Sequence, residues 1–340
     1  MGDPAAVSGL TRSDPRSPGM TRARNSGGFA YLDISGAQVS EPETILRIEA
    51  LAVPPGWNSV WISPDPLGHI QATGVDSRGR TQYRYHQLWR EQRDEQKFAH
   101  MLRFATALPQ LRAATVRDLH HRQMDRDRVA ASAVRLIDLG LFRLGGERYA
   151  ELDHHYGATT LEKRHVSLRR DGLVFDYEAK EGKRRAITVN DPAVLPTVRS
   201  LARSDNGLTE LFGFRDAGSG WRPLHSHDVS AYIARQAGGH FTAKEFRTWN
   251  ATVLMALLLA TAGVPSSARA AKIVVNASVR GVADWLGDTP TVARASYIDP
   301  RLIARFESDG RLAGVPAVPA RLPADAEAES AVAALLAAAA

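Results

Sequence analysis

Residues 286–300 read LGDTPTVARASYIDP, and the tyrosine at position 297 is the residue from which the rest of the chain can be interpreted. A single tyrosine is most often a packing residue with a hydrogen-bonded hydroxyl, so Tyr297 alone indicates nothing. Three short patterns precede it in the chain, and they contain Arg143 (FRLG), Lys180 (YEAKEGK), and Lys244 with Arg247 (KEFRT). An ordered set of one tyrosine, two arginines and two lysines is far less common than any one of its members.

The first two patterns fall at the ends of predicted elements. Apolar residues at helical spacing over 125–141 predict a helix, which places Arg143 at a helix terminus beside a glycine turn. Three β-like runs over 165–189 are separated by Asp-Gly and Glu-Gly turns, so they predict a three-stranded antiparallel meander. Lys180 lies at the tip of the second hairpin of that meander.

The third pattern lies at the start of a predicted helix. Thr242 and Glu245 have the spacing of a capping box, in which their side chains satisfy the first free amides of a helix. This helix extends through 251–260, whose apolar character indicates the core. Lys244 and Arg247 are three residues apart and share a face near the positive N-terminal end, which attracts phosphate.

Short β-like runs also occupy residues 59–63, 69–74 and 80–86 and predict a small antiparallel sheet. Tyr83 and Tyr85 are two residues apart and project from one face of their strand. Aromatic and basic groups side by side suit a DNA groove, although the two tyrosines could instead cover the hydrophobic side of the sheet. The residues that we predict to contact DNA here are Arg78, Arg80, Gln82, Tyr83, Arg84 and Tyr85.

Composition narrows the class of protein. The chain has 340 residues, of which 44% are hydrophobic and 24% charged, as in a soluble globular protein with room for two domains. It has no cysteine, which excludes disulfides, thiolate catalysis and cysteine-ligated metals. The net charge of +6 suits a polyanion such as nucleic acid, or simply a basic protein. The longest apolar run, 251–262, is too short to span a bilayer and no signal sequence is evident, so we predict a cytoplasmic, nucleoid-associated protein without membrane contact.

Composition shifts also predict the domain organisation. Residues 1–27 are rich in Gly, Pro, Ser and Arg and are predicted to form a disordered basic arm. A β-rich DNA-binding domain is expected over 28–113, and a catalytic domain over 114–315. The Ala- and Pro-rich tail, 316–340, ends in an alanine-rich helix to which we assign no chemistry.

In chain order these motifs resemble the type IB DNA topoisomerases of the small poxviral and bacterial kind. The likeness includes 61–74 (WISPDPLGHIQATG), 79–85 (GRTQYRY) and 156–161 (YGATTL), and covers roughly residues 40–308. It implies an α+β fold, in which a small N-terminal antiparallel β-sheet domain and a larger, mostly α-helical catalytic domain carrying the meander form a clamp around DNA. It also implies a monomer that relaxes supercoiled duplex DNA.

The resemblance assigns a role to each member of the set. Tyr297 would attack a backbone phosphodiester, become joined to the 3' phosphate and expel a 5' hydroxyl. Arg143 and Arg247 would donate planar guanidinium forks to the non-bridging oxygens. Lys180 would protonate the departing 5' oxygen as general acid. Lys244 would contact DNA or assist proton transfer.

The same chemistry needs no cofactor. The phosphotyrosyl linkage is itself a phosphodiester, so religation requires no ATP, and no glycine-rich nucleotide loop is present. The histidines lack a convincing ligand set, so we predict no metal. Lys183 and Arg184, close to Lys180, are weaker candidates for phosphate contact.

One position departs from the family. Nine residues before the nucleophile the family usually has His or Asn, whereas this chain has Asp288, whose carboxylate would repel a phosphate oxygen. Asp288 could be protonated, could be turned away as a helix cap ahead of Thr289 and Pro290, or could weaken the enzyme; we favour the cap. We expect activity that is reduced or shifted toward lower pH.

Two other functions stay open. A tyrosine recombinase shares the Arg, Lys, Arg and Tyr chemistry, but it typically has His three residues before the second Arg, where this chain has Lys244. Its DNA-binding arm is also usually helical rather than β-rich. A DNA-binding clamp catalytically weakened through Asp288 is the other alternative.

Overall fold

The computed structural model describes residues 9–25, 27–140, 142–146, 155–179, 182–320, 322 and 324–338. The chain divides into two compact units, Met1–Ala99 and His100–Ala340. The first unit is built on an antiparallel sheet and the second is mostly helical with a small three-stranded sheet, which confirms the predicted α+β class. Lys180, predicted at a hairpin tip, lies outside the described residues.

The sheet of the first unit has five strands in the order β2-β1-β3-β4-β5. They are β1 (Met20–Asn25), β2 (Gly28–Leu32), β3 (Asn58–Ile62), β4 (Ile70–Val75) and β5 (Thr81–Tyr85). Ile48 of helix α1 (Pro42–Ala50) joins one buried apolar cluster with Met20, Val60, Ile62 and Ala72. The strands β3 to β5 confirm the three β-like runs of the sequence.

Strand β1 corrects the prediction of a disordered arm over residues 1–27. Its sequence, MTRARN, has no apolar alternation, so pattern alone indicated no strand. Thr21 nevertheless pairs with Leu32 of β2 on one side and with Trp61 of β3 on the other. Pairing with two neighbouring strands and burial of Met20 supply the order that the local sequence does not encode.

The second unit contains most of the helices. Helix α2 (Gln87–Leu119) begins within the first unit and continues into the second. The helices after it are α3 (Arg126–Asp138), α4 (Leu195–Arg203), α5 (Ser226–Ala237), α6 (Ala243–Thr261), α7 (Ala268–Leu286), α8 (Pro290–Ser296), α9 (Pro300–Asp309) and α10 (Ala326–Ala337). No helix in the described ranges is long and apolar enough to cross a membrane.

Helix α6 is the central element of the second unit. Nearly all of its side chains from Phe246 to Leu257 are buried, and it packs against α3, α7, α9 and α10. The capping box predicted at its start is present: the backbone amide of Thr242 donates to Glu245 Oε2 at 2.7 Å. The prediction that this helix forms core is confirmed.

The meander consists of β6 (Val166–Leu168), β7 (Leu173–Ala179) and β8 (Lys183–Val189), in that order. A separate hairpin is formed by β9 (Gly213–Asp216) and β10 (Gly220–Pro223). The buried face of β7 presents Phe175 and Tyr177, and both rings pack on Phe142, with centroids 4.9 and 5.7 Å from its ring. The meander is therefore anchored one residue before Arg143.

Candidate active site

Arg247 lies one turn into α6 and is almost completely buried, with 5% of its surface exposed. Its Nη2 donates to the carbonyl oxygen of Leu286 at 3.1 Å, at the end of α7, and to Asp288 Oδ2 at 3.0 Å. Its Nε and Nη1 are buried without an acceptor among the described residues. A buried guanidinium with unused donors is costly unless an anion accepts from it.

Arg143 is held by its backbone in an extended segment after α3. The prediction placed it at a helix terminus, but α3 ends at Asp138 and the chain turns at Gly140, whose φ is +74°. A Cβ at Gly140 would lie 1.8 Å from the ring of Trp285, so only glycine permits this packing. The amide of Ala158, in the 156–161 motif, donates to the carbonyl oxygen of Arg143 at 2.7 Å. That motif therefore positions Arg143.

Tyr297 follows the last residue of α8 and is partly exposed. Its amide donates to the carbonyl oxygen of Ala293 at 3.1 Å, and its own carbonyl oxygen accepts from Thr252 Oγ1 of α6 at 3.1 Å. The guanidinium carbon of Arg247 lies 5.2 Å from the centroid of its ring. The phenol and one of the two arginines are thus neighbours, as the resemblance implied.

Asp288 is not a helix cap. The N-cap of α8 is Thr289, whose Oγ1 accepts from the amide of Val292 at 3.3 Å. Asp288 Oδ2 instead accepts from Arg143 Nη2 at 2.9 Å and from Arg247 Nη2 at 3.0 Å. The favoured interpretation was therefore wrong: the carboxylate faces into the site and bridges the two guanidiniums.

Burial and neighbouring charges together shift the pKa values of two residues in the site. Burial lowers the pKa of Arg247, and the positive charge of Arg143 acts in the same direction, while Tyr297 and Asp288 oppose it. Arginine nevertheless stays protonated, because its ordinary pKa lies far above neutrality. Burial also raises the pKa of Tyr177 to about 12, although the charges of Arg185, Arg143 and Arg247 favour its ionised form. The site is therefore cationic, and the buried phenol of Tyr177 beside it is neutral.

Arg185 is a residue that the sequence analysis did not select. It lies opposite Tyr177 in the register of the meander and lines an open cavity of about 320 Å³. The cavity is also lined by Arg143, Lys183, Asp284 and Gly287. Alternation along β8 could have found Arg185, because it shares a face with the buried Ile187 and Val189.

Two of the weaker candidates differ in their surroundings. Arg184 lies on the opposite face of β8, where its Nε donates to Asp176 Oδ1 at 2.7 Å. Lys183 lines the cavity, and Lys244 is exposed in the first turn of α6. The structure thus brings Arg143, Arg247, Asp288 and Tyr297 together. Arg184 lines the same cavity as Arg143, but its guanidinium is paired with Asp176.

Comparison with known proteins agrees with this geometry. A family model described as the catalytic core of eukaryotic DNA topoisomerase I matches residues 86–307, which is more than half of the chain. The chain belongs to the type IB DNA topoisomerases. The N-terminal domain of bacterial DNA topoisomerase IB matches residues 28–76. DNA topoisomerase 1B of Acanthamoeba polyphaga mimivirus is 28% identical over 287 residues, which are 82% of this chain and 85% of the relative.

Membership of this topoisomerase family decides between the two enzyme classes that the sequence left open. The catalytic-core match spans Arg143, Arg247 and Tyr297 together, and the bacterial N-terminal match covers most of the sheet of the first unit. The chain is therefore a topoisomerase rather than a recombinase. Among the described residues, no group of three His, Asp or Glu side chains could hold a metal ion.

Tyr83 and Tyr85 are exposed on the surface of the first unit, so the interpretation that these two residues cover the hydrophobic side of the sheet is wrong. Tyr83 is 45% exposed and Tyr85 is 38% exposed, and their rings stack with centroids 5.9 Å apart. Several predicted neighbours have protein partners instead. Arg80 and Gln82 donate to Asp76 Oδ2, Arg84 donates to the carbonyl oxygen of Ala52, and the amide of Arg78 donates to Asp76 Oδ1.

Proposed function

We propose that this topoisomerase relaxes supercoiled duplex DNA, as a cytoplasmic and nucleoid-associated monomer, by cutting and rejoining one strand with Tyr297. The observation that carries the proposal is the convergence of two guanidiniums on one oxygen beside a tyrosine ring. Arg143 and Arg247 donate to the same atom, Asp288 Oδ2, at 2.9 and 3.0 Å. Two cations directed at one point are suited to an oxygen that gains negative charge in a transition state.

In the proposed cleavage step, the Oη of Tyr297 forms a bond to the scissile phosphorus while the bond from phosphorus to the 5' oxygen breaks. The phenol of the partly exposed Tyr297 passes its proton to solvent water, and the departing 5' oxygen gains one from Lys180, the proposed donor. Negative charge collects on the two non-bridging oxygens during the step. Arg143 and Arg247 donate to those oxygens, and the buried Nε and Nη1 of Arg247 supply further donors.

Religation reverses the same bonds. The 5' hydroxyl attacks the phosphotyrosyl phosphorus, a phosphodiester is exchanged for a phosphodiester, and the energy of the bond is retained. ATP is therefore not needed, and the arginines and Lys180 supply the positive charge that a metal ion would otherwise provide. Between the two steps the strain of supercoiling drives rotation of the cut strand.

Asp288 makes this site different from that of relatives with His or Asn at the position. Its carboxylate occupies the donors that a phosphate oxygen would use, so the phosphate must share or displace it. Both groups are anions, so their repulsion in a partly buried site raises the barrier to cleavage. We therefore propose that Asp288 slows cleavage without abolishing it, and a shift of activity toward lower pH stays a prediction.

Binding of DNA by the two units as a clamp is also part of the proposal. In the first unit the exposed pair Tyr83 and Tyr85 offers ring faces, on which bases stack regardless of their identity. Among the predicted neighbours of this pair, the side chains of Arg80 and Gln82 are bonded to Asp76 and that of Arg84 to a backbone carbonyl group, whereas Arg78 is bonded only through its backbone amide. We therefore assign the main DNA contact of this unit to the two tyrosines.

Plasmid relaxation in EDTA and without ATP tests the proposed function. Wild type should relax the plasmid and form a covalent protein–DNA adduct, and Tyr297→Phe should lose both while still binding DNA. Tyr31→Phe, which removes the hydroxyl of a tyrosine in β2, is the matched control and should retain both. An adduct that persists in Tyr297→Phe would contradict the assigned nucleophile, and a wild type that forms none would indicate a non-catalytic clamp.

A further inference from the structure

The face of β8 that carries Arg185 turns toward the catalytic arginines. Ile187 and Val189 on this face are buried, and Arg185 lies opposite Tyr177 in the antiparallel register. The neighbouring Arg184 also lines the cavity, but its guanidinium is paired with Asp176. Two adjacent arginines of one strand therefore differ in their ion pairs, which allows them to be compared directly.

The guanidinium of Arg185 packs close to the C-terminal end of α7. A Cβ placed on Gly287 would lie 3.1 Å from Arg185 Nη1, so the side chain lies directly over this glycine. Asp284, one turn earlier in α7, lines the same cavity without forming an ion pair with Arg185. Within the described part of the chain Arg185 has neither a hydrogen bond nor a salt bridge.

Cationic groups outnumber carboxylates in this region. Three guanidiniums, those of Arg143, Arg185 and Arg247, act on the same buried phenol of Tyr177. One carboxylate, that of Asp288, pairs with two of them and not with the third. Cations that line one concave surface raise the local concentration of anions. Arg185 is consequently the guanidinium of this group that is left for a ligand.

We propose that Arg185 binds the DNA backbone phosphate adjacent to the scissile phosphate, on the cleaved strand. This inference rests on the proposed function, in which Arg143 holds the scissile phosphate at the wall of the same cavity. Charges along one strand of B-DNA recur about every 3.4 Å of helix axis, so a strand bound at Arg143 presents its next phosphate nearby. A planar fork gives this contact a defined direction.

Arg185 thereby acts as a positioning residue and does not contact the reacting atoms. By fixing one phosphate it sets the register of the strand, so that the neighbouring phosphorus faces Tyr297. A small displacement of the reacting atoms costs a large factor in rate. The loss on mutation should therefore appear in the rate of cleavage and not only in affinity.

Single-turnover cleavage of synthetic duplexes tests the proposal. After the cleavage site of wild type is mapped, single neutral methylphosphonates replace successive phosphates on both sides of it. Arg185→Gln should slow adduct formation roughly tenfold on unmodified DNA, as expected for loss of a charge-assisted hydrogen bond. One methylphosphonate beside the scissile position should slow wild type by a similar factor and leave Arg185→Gln unaffected.

Arg184→Gln is the matched control, since it removes the same charge from the adjacent residue. Its rate of adduct formation should fall less than that of Arg185→Gln. The decrease should persist on every methylphosphonate duplex. Arg185→Lys keeps the charge without the fork and should fall between wild type and Arg185→Gln, which also provides an answer if the glutamine variant does not fold. Equal decreases in the rate of adduct formation for Arg184→Gln and Arg185→Gln would overturn the proposal. So would a decrease for Arg185→Gln that persists on every methylphosphonate duplex.

The two proposals fail in different ways in this experiment. If wild type forms no adduct through Tyr297, the proposed function is contradicted and the role of Arg185 with it. If wild type forms the adduct and Arg185→Gln forms it at the same rate, only the role of Arg185 is contradicted.

Discussion

Asp288 holds two like charges together, and we expect its carboxylate to have opposite effects on stability and on activity. Arg143 and Arg247 both donate to its Oδ2, and the side chain is 13% exposed. Without the carboxylate the two guanidiniums would repel each other in a partly buried site. The same carboxylate occupies the donors needed by the scissile phosphate. We therefore expect an acidic residue at this position to stabilise the folded protein and to slow cleavage.

This argument gives a first prediction for Asp288→Asn. The free energy of unfolding should fall by about 1–3 kcal/mol, because one partner of a charge-assisted network is lost. Single-turnover cleavage should become about tenfold faster, because the phosphate no longer competes with a carboxylate. Denaturant unfolding and adduct formation measure the two quantities. Asp284→Asn, which removes a carboxylate that lines the cavity beside Arg143, should change neither quantity by as much. Slower cleavage in Asp288→Asn would contradict the proposed competition.

Tyr83 and Tyr85 give a prediction for single residues of the first unit. Replacing either by alanine should weaken non-covalent binding of duplex DNA about tenfold, because stacking on one aromatic ring contributes about 1–3 kcal/mol. Binding is measured in the Tyr297→Phe background, where no adduct forms. Tyr31→Phe again serves as the control for handling and folding. Unchanged binding in both alanine variants would remove the exposed pair from the DNA interface.

Among the elements, α6 connects the proposed nucleophile, Tyr297, to Arg247. Thr252, completely buried in α6, donates through Oγ1 to the carbonyl oxygen of Tyr297 and accepts from the amide of Asp299 at 3.2 Å. Arg247 lies in the same helix, five residues earlier. The hydroxyl of Thr252 thus binds the backbone around Tyr297 to the helix that carries Arg247. The two hydrogen bonds limit the distance between the guanidinium and the phenol.

Thr252→Val tests this link, because valine keeps the shape and removes the hydroxyl. The amide of Asp299 and the carbonyl oxygen of Tyr297 would each lose a partner, so the free energy of unfolding should fall by about 1–3 kcal/mol. Cleavage should slow by more than DNA binding weakens. Thr248→Val provides the comparison, since its hydroxyl donates only to the carbonyl oxygen of Lys244 in its own helix. Equal kinetics for the two variants would show that the link does not position Tyr297.

The C-terminal helix α10 is bound to the element that follows the nucleophile. Arg301 and Arg305 of α9 donate to the carbonyl oxygens of Leu336 and Leu335, at 3.1 and 3.2 Å. Arg112 of α2 donates to Glu329 Oε2 at 2.7 Å. The sequence analysis assigned no chemistry to this helix, and these contacts hold both of its ends.

We therefore predict that deletion of residues 324–340 lowers stability and slows cleavage. The deletion would expose apolar surface of the second unit and leave Arg301 and Arg305 without their acceptors, while α9 begins three residues after Tyr297. Thermal unfolding and adduct formation are the measurements. Glu329→Gln, which breaks only the ion pair with Arg112, should give a smaller loss of stability. A deletion variant as stable as wild type would contradict the anchoring role.

At the scale of the whole molecule, the net charge of +6 affects how the protein binds DNA rather than how it folds. Each phosphate contact releases counterions, so the affinity for duplex DNA should fall steeply as the salt concentration rises. Replacing one phosphate-binding arginine by glutamine should reduce the slope of log affinity against log salt by about 1. Arg185→Gln should show this change, and Arg184→Gln should show less of it. Equal slopes for wild type and Arg185→Gln would be inconsistent with a phosphate contact.

Local sequence was sufficient for those parts of the fold whose signals are local. The capping box of Thr242 and Glu245, the glycine-containing turns of the meander and the strands over 58–85 follow from short-range backbone preferences and alternation. Motif order also predicts the proposed catalytic set of Arg143, Lys180, Arg247 and Tyr297, of which Lys180 lies outside the described residues. Strand β1 could not be predicted, because its order comes from pairing with β2 and β3.

The chain by itself determined the family, the class of fold and the chemistry available, because these depend on residue types and on their order. Tertiary structure decided which groups face each other. It placed the carboxylate of Asp288 between two guanidiniums instead of at a helix cap, turned Arg185 toward them and paired Arg184 with Asp176. These facts depend on side-chain directions from three separate elements, and electrostatic interaction is set by distance in space rather than by separation along the chain.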